Sequence, residues 1–329
     1  MKKLIFRILG GIVILIVALF VFVSFTWDKK FDAPMPDLKA SKDSAIIARG
    51  KYLAFGPAHC ATCHVSMDKI AEVDGGAIIP LSGGWELDIP PGTFRAPNLT
   101  PDMETGIGKF SDGQIARALR HAVKHDGSML FPFMPFQEMS DDDVIALISF
   151  LRSQPAVKHE MKKTELKFLG KALMAFGVMK PDKPKTTPPK FMVPDTTAAY
   201  GSYLANTVAN CVGCHTDRDL KTGKFIGKPL AGGFQMPADA FSEGYSFITP
   251  NLTPDIETGR IAKWDREQFI NRFHSGRVYK TSPMPWGFFS RINDTELKAL
   301  YAYLTSVQPV EKKIDKSVFL PGEKLPPAN

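Results

Sequence analysis

The chain repeats itself, and that duplication limits the folds open to its 329 residues. ARGKYLAFGPAHCATCH at 48–64 is answered by AAYGSYLANTVANCVGCH at 198–215, and PNLTPDMETG at 97–106 by PNLTPDIETG at 250–259. FPFMPF at 131–136 pairs with TSPMPW at 281–286, and SDDDVIALISFLRSQPAV at 140–157 with NDTELKALYAYLTSVQPV at 293–310. Each unit of about 110 residues therefore has the same order of parts: an amphipathic helix running into CxxCH, a Gly/Pro-rich loop, PNLTPD, a middle helix, a Met-Pro turn and a C-terminal helix. The last helices are expected to open with capping boxes, Ser140 with Asp143 and Asn293 with Glu296.

All four cysteines fall in the two CxxCH segments. One helical turn brings both sulfurs of a pair to the same side, and the next residue's imidazole can reach an iron from below. This is the pattern of c-type haem attachment. It predicts two covalently attached haem c groups, one on Cys60 and Cys63 with His64 as iron ligand, the other on Cys211 and Cys214 with His215. Structural zinc would bring its second ligand pair within about 12–20 residues. Here the second pair follows 148 residues later, and neither a disulfide framework nor a thioredoxin-like pair calls for His after both.

An iron that shuttles electrons needs a second protein ligand. Among 13 methionines the repeat selects Met134 and Met284, each followed by Pro and lying 74 and 73 residues after the first cysteine of its unit. A thioether ligand favours ferrous iron and raises the potential. Met129 and Met139 lie nearby without counterparts. His121 and His125, four apart, have the spacing of one helix face, but no further metal ligand is evident and they read as solvated or satisfied.

Between Arg7 and Asp28 the run ILGGIVILIVALFVFVSFTW, residues 8–27, has no charge. As a helix it spans about 30 Å, the hydrocarbon thickness of a bilayer. A cleaved signal peptide has a shorter apolar stretch and ends in small residues, unlike Ser24-Phe25-Thr26-Trp27. Residues 1–30 are therefore expected to be a single-pass anchor in a bacterial inner membrane, with Lys2, Lys3 and Arg7 inside and the haem units in the periplasm. The net charge of +7 is concentrated here and in residues 155–190, where nine lysines face three acidic residues. The haem-bearing units are left acidic, which excludes nucleic acid as a partner. Residues 155–194 read as a basic, Pro-rich linker whose first part, 166–179, suits a surface helix; a docking strip for anionic lipid or an acidic partner is the alternative.

At CxxCH, PNL, MP and a terminal helix carrying Phe150-Leu151 or Tyr303-Leu304, each half resembles a class I cytochrome c. PNLTPDxETG followed by an aromatic (Phe110, Trp264) is similar to the cytochrome subunits of membrane-bound periplasmic alcohol, aldehyde and gluconate dehydrogenases. The resemblance implies that Pro97 and Pro250 offer carbonyls to the Nδ1–H of His64 and His215. It also implies an all-α fold with long irregular loops, in tandem domains at 31–154 and 195–329. The function it implies is electron transfer from a dehydrogenase to a terminal oxidase or small cytochrome, without substrate chemistry of the chain's own. Alternatives are a dihaem peroxidase or sulfur-compound oxidase, and a fixed cytochrome subunit of a terminal oxidase complex. Asn98-Leu99-Thr100 and Asn251-Leu252-Thr253 also match a glycosylation acceptor pattern, which the following proline argues against.

Overall fold

A computed structural model describes residues 2–219, 223–239 and 242–327. The uncharged run folds as one helix, α1 (Lys2–Thr26), the one helix among the described residues that is long and apolar enough to cross a membrane. The first repeat follows. Helix α2 (Ser44–Phe55) starts where the Asp43 carboxylate accepts the amide of Ala45, and leads through a 3-10 turn at Cys60–Thr62 and a second at Met67–Lys69 into α3 (Ile70–Asp74). A hairpin of β1 (Glu86–Ile89) and β2 (Gly92–Arg95) comes next. It is followed by α4 (Asp112–His121), α5 (Asp141–Ser153), β3 (Glu165–Leu166) and α6 (Phe168–Ala175).

Among the described residues, the second repeat keeps the order of the main elements but adds a short helix before its last one and has no counterpart of α3 or α6. Helix α7 (Ala198–Tyr203) continues as a π-helical turn over Leu204–Val208, followed by α8 (Cys211–Cys214), β4 (Gln235–Met236) and β5 (Ser246–Ile248). Then come α9 (Arg266–His274), α10 (Trp286–Phe289), α11 (Asp294–Ser306) and β6 (Val318–Phe319). The molecule is mostly helical, but it adds two antiparallel three-stranded sheets, β1-β2-β3 and β4-β5-β6, to the all-α expectation. Strands of two to four residues are too short to stand out in sequence, even though burial alternates along β1 and β2. In both sheets the third strand is chain that follows the repeat's last helix, so residues expected as connector stay paired to the first repeat through Glu165–Leu166.

Within each repeat the first and last helices cross at a glycine. A Cβ on Gly50 would overlap the carbonyl oxygen of Ala146, and one on Gly201 would overlap that of Ala299. Gly50→Ala should force α2 off α5 and cost about 1–3 kcal/mol, the usual penalty of overpacking; denaturant unfolding of Gly50→Ala and Gly201→Ala checks this, and unchanged midpoints would contradict the close approach. Leu53, Ile148, Leu204 and Leu297 belong to one apolar cluster that runs through both repeats.

Where the repeats meet, the capping-box expectation is corrected. Asn293 does cap α11, accepting the Glu296 amide at 3.0 Å, but the Glu296 carboxylate does not return to the Asn293 amide. It instead accepts from Arg49 at 2.7 Å, Tyr52 at 2.5 Å and Tyr200 at 2.9 Å. The Asn293 amide donates to the Tyr52 hydroxyl of the first repeat, and the Ser140 amide to the Tyr203 hydroxyl of the second, both at 3.1 Å. Ser140 makes no side-chain cap. The connector takes over that role, because the carbonyls of Pro189 and Lys190 accept the amides of Asp141 and Asp142 at 2.9 and 3.0 Å. Asp143 is thereby free to bind Arg49 at 2.9 Å and Tyr203 at 2.7 Å. Tertiary partners win over the local motif because both acids are buried, Asp143 at 2% and Glu296 at 0% exposure, and a buried carboxylate is tolerable only with a cation and several donors around it.

Candidate haem-attachment sites

Each CxxCH starts from a residue in the left-handed region, His59 at φ 39° and Asn210 at φ 50°. One tight turn follows, in which the His64 amide donates to Cys60 O at 3.0 Å and the His215 amide to Cys211 O at 2.8 Å. The two thiols and the imidazole of a motif are so gathered on about one turn of chain. Burial pushes the Cys60 and Cys211 thiols up to about 12, so both stay protonated until they react.

Both histidines are buried, at 6% and 8% exposure, and both are oriented from behind. His64 Nδ1 lies 2.9 Å from the carbonyl of Pro97, and His215 Nδ1 lies 3.0 Å from that of Pro250. A carbonyl only accepts, so Nδ1 carries the proton and Nε2 keeps its lone pair. Burial holds both imidazoles below the usual histidine range, against the opposing pull of the proline carbonyls, which keeps that lone pair available at neutral pH. Among the described residues, neither Nε2 has a hydrogen-bond partner.

The carbonyls are held by the PNLT segments. Asn98 donates to Val157 O at 2.8 Å while its own side-chain oxygen accepts the Thr100 amide at 2.9 Å; Asn251 does the same with Val310 and Thr253 at the same distances. Asn98 and Asn251 are 2% and 1% exposed, so their amides are structural clamps with no room for a glycan. Glycines close the loop: the Gly83 amide donates to His64 O at 2.9 Å and the Gly232 amide to His215 O at 2.8 Å. Gly83 sits at φ +80°, and a Cβ there would lie 2.7 Å from the Pro97 carbonyl carbon; Gly232 sits at φ +68° against Pro250. Sequence reasoning missed these glycines, although LSGGW at 81–85 and LAGGF at 230–234 repeat like the other motifs.

Met134 and Met284 are half-buried against the apolar cluster, whereas Met139 is inside it at 0% exposure and Met129 is buried outside it at 3%. The Met134 carbonyl accepts from Gln137 Nε2 at 3.0 Å and that of Met284 from the Trp286 amide at 2.7 Å, so each turn is held by its near neighbours in the chain. His121 ends α4, Ala122 turns left-handed at φ 50°, and His125 stacks on Phe110 with centroids 4.0 Å apart. The one-face arrangement therefore does not form. Among the described residues no group of three or more His, Cys, Asp or Glu is placed to hold a metal ion.

The cytochrome c family model matches residues 47–155, from within α2 to just past α5. The chain contains a cytochrome c domain. Such a domain implies covalently bound haem c, and the residues present fit it. Among the described residues, the domain offers two thiols on one turn, an imidazole with a free Nε2, and the buried, partnerless Thr62 hydroxyl inside the motif, and Arg218 Nε is likewise unpartnered just beyond the second motif. The chain around the cytochrome c domain is 28% identical over 288 residues to the alcohol dehydrogenase (quinone) cytochrome c subunit of Gluconobacter oxydans, covering 82% of this chain and 56% of that one. It is 27% identical over 298 residues to the gluconate 2-dehydrogenase cytochrome c subunit of Pantoea cypripedii, covering 86% and 64%. It is 29% identical over 279 residues to a diheme cytochrome c-type protein of Cereibacter sphaeroides, covering 80% and 86%. The chain thus spans about half the length of the alcohol dehydrogenase subunit it matches.

Proposed function

We propose that the protein is a membrane-anchored dihaem electron carrier made of two tandem cytochrome c units, residues 31–154 and 195–329. It takes electrons singly from a dehydrogenase in or at the inner membrane and passes them to a terminal oxidase or small cytochrome on the periplasmic side. Cys60 and Cys63 would attach one haem, with His64 and Met134 holding its iron, and Cys211 and Cys214 the other, with His215 and Met284 holding its iron.

The observation that carries the reading is the recurrence of one geometry: both CxxCH imidazoles are pinned through Nδ1 by a PNLTPD proline, at 2.9 and 3.0 Å, with Nε2 free. Bound haem supplies reversible one-electron chemistry at its iron. The chain's own residues have other tasks. Pro97 and Pro250 hold the proton on Nδ1 and fix the ring plane, the glycine-closed loops keep those carbonyls in place, and the apolar cluster excludes water. A donor among dehydrogenases is supported by the relatives, which are named as cytochrome subunits of alcohol, fructose and gluconate dehydrogenases.

The methionine assignment is tested spectroscopically in the oxidised holoprotein. Met134→Ala and Met284→Ala should each remove about half of the weak red charge-transfer band produced by methionine–iron ligation, and the double variant all of it. A band unchanged in either single variant rules out that methionine. Rapid turnover of peroxide or thiosulfate by the purified protein, with no partner present, would replace the carrier reading with an enzymatic one.

A further inference from the structure

Helix α6 does not float in solvent as part of a linker. Phe168 stacks on Phe20 of α1 with centroids 5.8 Å apart and planes 7° from parallel, and Phe176, just after the helix, meets Phe22 at 5.3 Å. Lys29 Nζ donates to the Ala175 carbonyl at 2.7 Å, and Lys171 Nζ lies 5.0 Å over the Trp27 ring. Val23, in the same stretch, is the single buried residue of α1. On another side α6 is fastened to the first repeat: the Lys167 amide donates to Pro91 O at 3.0 Å, its Nζ pairs with Asp88 at 2.8 Å, and a Cβ on Gly170 would overlap the Pro91 carbonyl.

What remains of the α6 surface is apolar and open. Phe168, Leu169, Phe176 and Val178 are 47%, 48%, 57% and 69% exposed. The contacts with α1 decide what surrounds them. Phe20 and Phe22 precede Trp27 by seven and five residues, which places them about 8–10 Å inside the span at 1.5 Å per residue. A ring in van der Waals contact with them shares their depth. Lysines 167, 171 and 180 lie on or beside the same segment, and Lys29 and Lys30 follow α1, a concentration of positive charge suited to an anionic lipid surface.

We propose that α6 and the turn through Val178 form a second membrane element, lying in the bilayer interface beside α1 with its exposed apolar side chains among phospholipid acyl chains. This rests on α1 spanning the membrane. The consequence is orientation: a single helix leaves the domains free to swivel, whereas α6, clamped to the β1–β2 hairpin, holds the first repeat against the bilayer.

Photocrosslinking in the full-length holoprotein tests this, in vesicles of phosphatidylethanolamine and phosphatidylglycerol. Benzoylphenylalanine is placed singly at Phe20, Leu169, Val178 and Ile256, the last an apolar side chain of the second PNLTPD loop that is 71% exposed. Lipid adducts at 20, 169 and 178 but not at 256 are expected. Adducts at 20 without adducts at 169 and 178 overturn the role of α6 and leave the anchor standing. Absence of adducts at 20 overturns the anchor, and the proposal with it. Crosslinks from 169 or 178 to a second copy of the chain, in place of lipid, show the surface to be a protein interface and likewise overturn the proposal.

Discussion

Cys211→Ala combined with Cys214→Ala is expected to halve the covalent haem content of the holoprotein, from two haems per chain to one, while the haem on Cys60 and Cys63 remains. The two attachment turns share no residue, and each histidine is oriented by its own proline, His64 by Pro97 and His215 by Pro250. The mirror variant, Cys60→Ala with Cys63→Ala, should keep the other haem. Denaturing gels stained for haem, with an extinction-based haem count, read the result. A count unchanged in either variant sinks the two-site assignment. Much of each unit is loop, which thioether and iron–ligand bonds would tie down in the holoprotein, so the unit that loses its haem should also lose helical signal on mild heating.

Arg49→Met should be the most damaging single change away from the haem sites. It strips the cation from Asp143 and Glu296, two carboxylates at 2% and 0% exposure, leaving only tyrosine hydroxyls around them. Breaking such a buried pair costs about 3–5 kcal/mol. The sign of its pH dependence follows from Asp143. Burial pushes its carboxyl above the ordinary range, against the opposing pull of the Arg49 guanidinium and the hydrogen bonds from Arg49 and Tyr203. A group raised on folding stabilises at pH below its unfolded pKa, and that contribution is lost as pH rises through the folded value. Without Arg49 the folded value rises further, so the variant should recover part of its stability near about pH 5 relative to about pH 8. Guanidinium unfolding midpoints of the holoprotein at both pH values measure it. A loss under about 1 kcal/mol would mean that water, not Arg49, compensates the acids.

This interface was barely legible from sequence. Asp143 and Glu296 look like the third residues of capping boxes, and nothing local says that their carboxylates turn away from their own helix ends. The deciding partners, Arg49 and Tyr200, are 94 and 96 residues away from Asp143 and Glu296, respectively. Arg49 also has no counterpart, since Tyr200 occupies its place in the second repeat, so a search for repeated features passes over it. The small sheets were hidden for another reason, their strands being only two to four residues long. The packing of α6 on α1 was hidden because its apolar residues suit a surface helix equally well until Phe20 and Phe22 are placed against Phe168 and Phe176.

The candidate site is the opposite case. Thioether chemistry demands two thiols and an imidazole within five consecutive residues, so Cys60 to His64 and Cys211 to His215 can be read without any fold. Covalent spacing, the uncharged run of residues 8–27 and the duplication are properties of the chain, and they determined the candidate attachment motifs, the long apolar helix and the order of parts. Tertiary structure alone decided which carbonyl faces each imidazole, which acids pair across the repeats and where α6 lies. Those outcomes depend on groups far apart in sequence meeting in a low-dielectric interior, where an unpaired polar group costs more than a broken local motif.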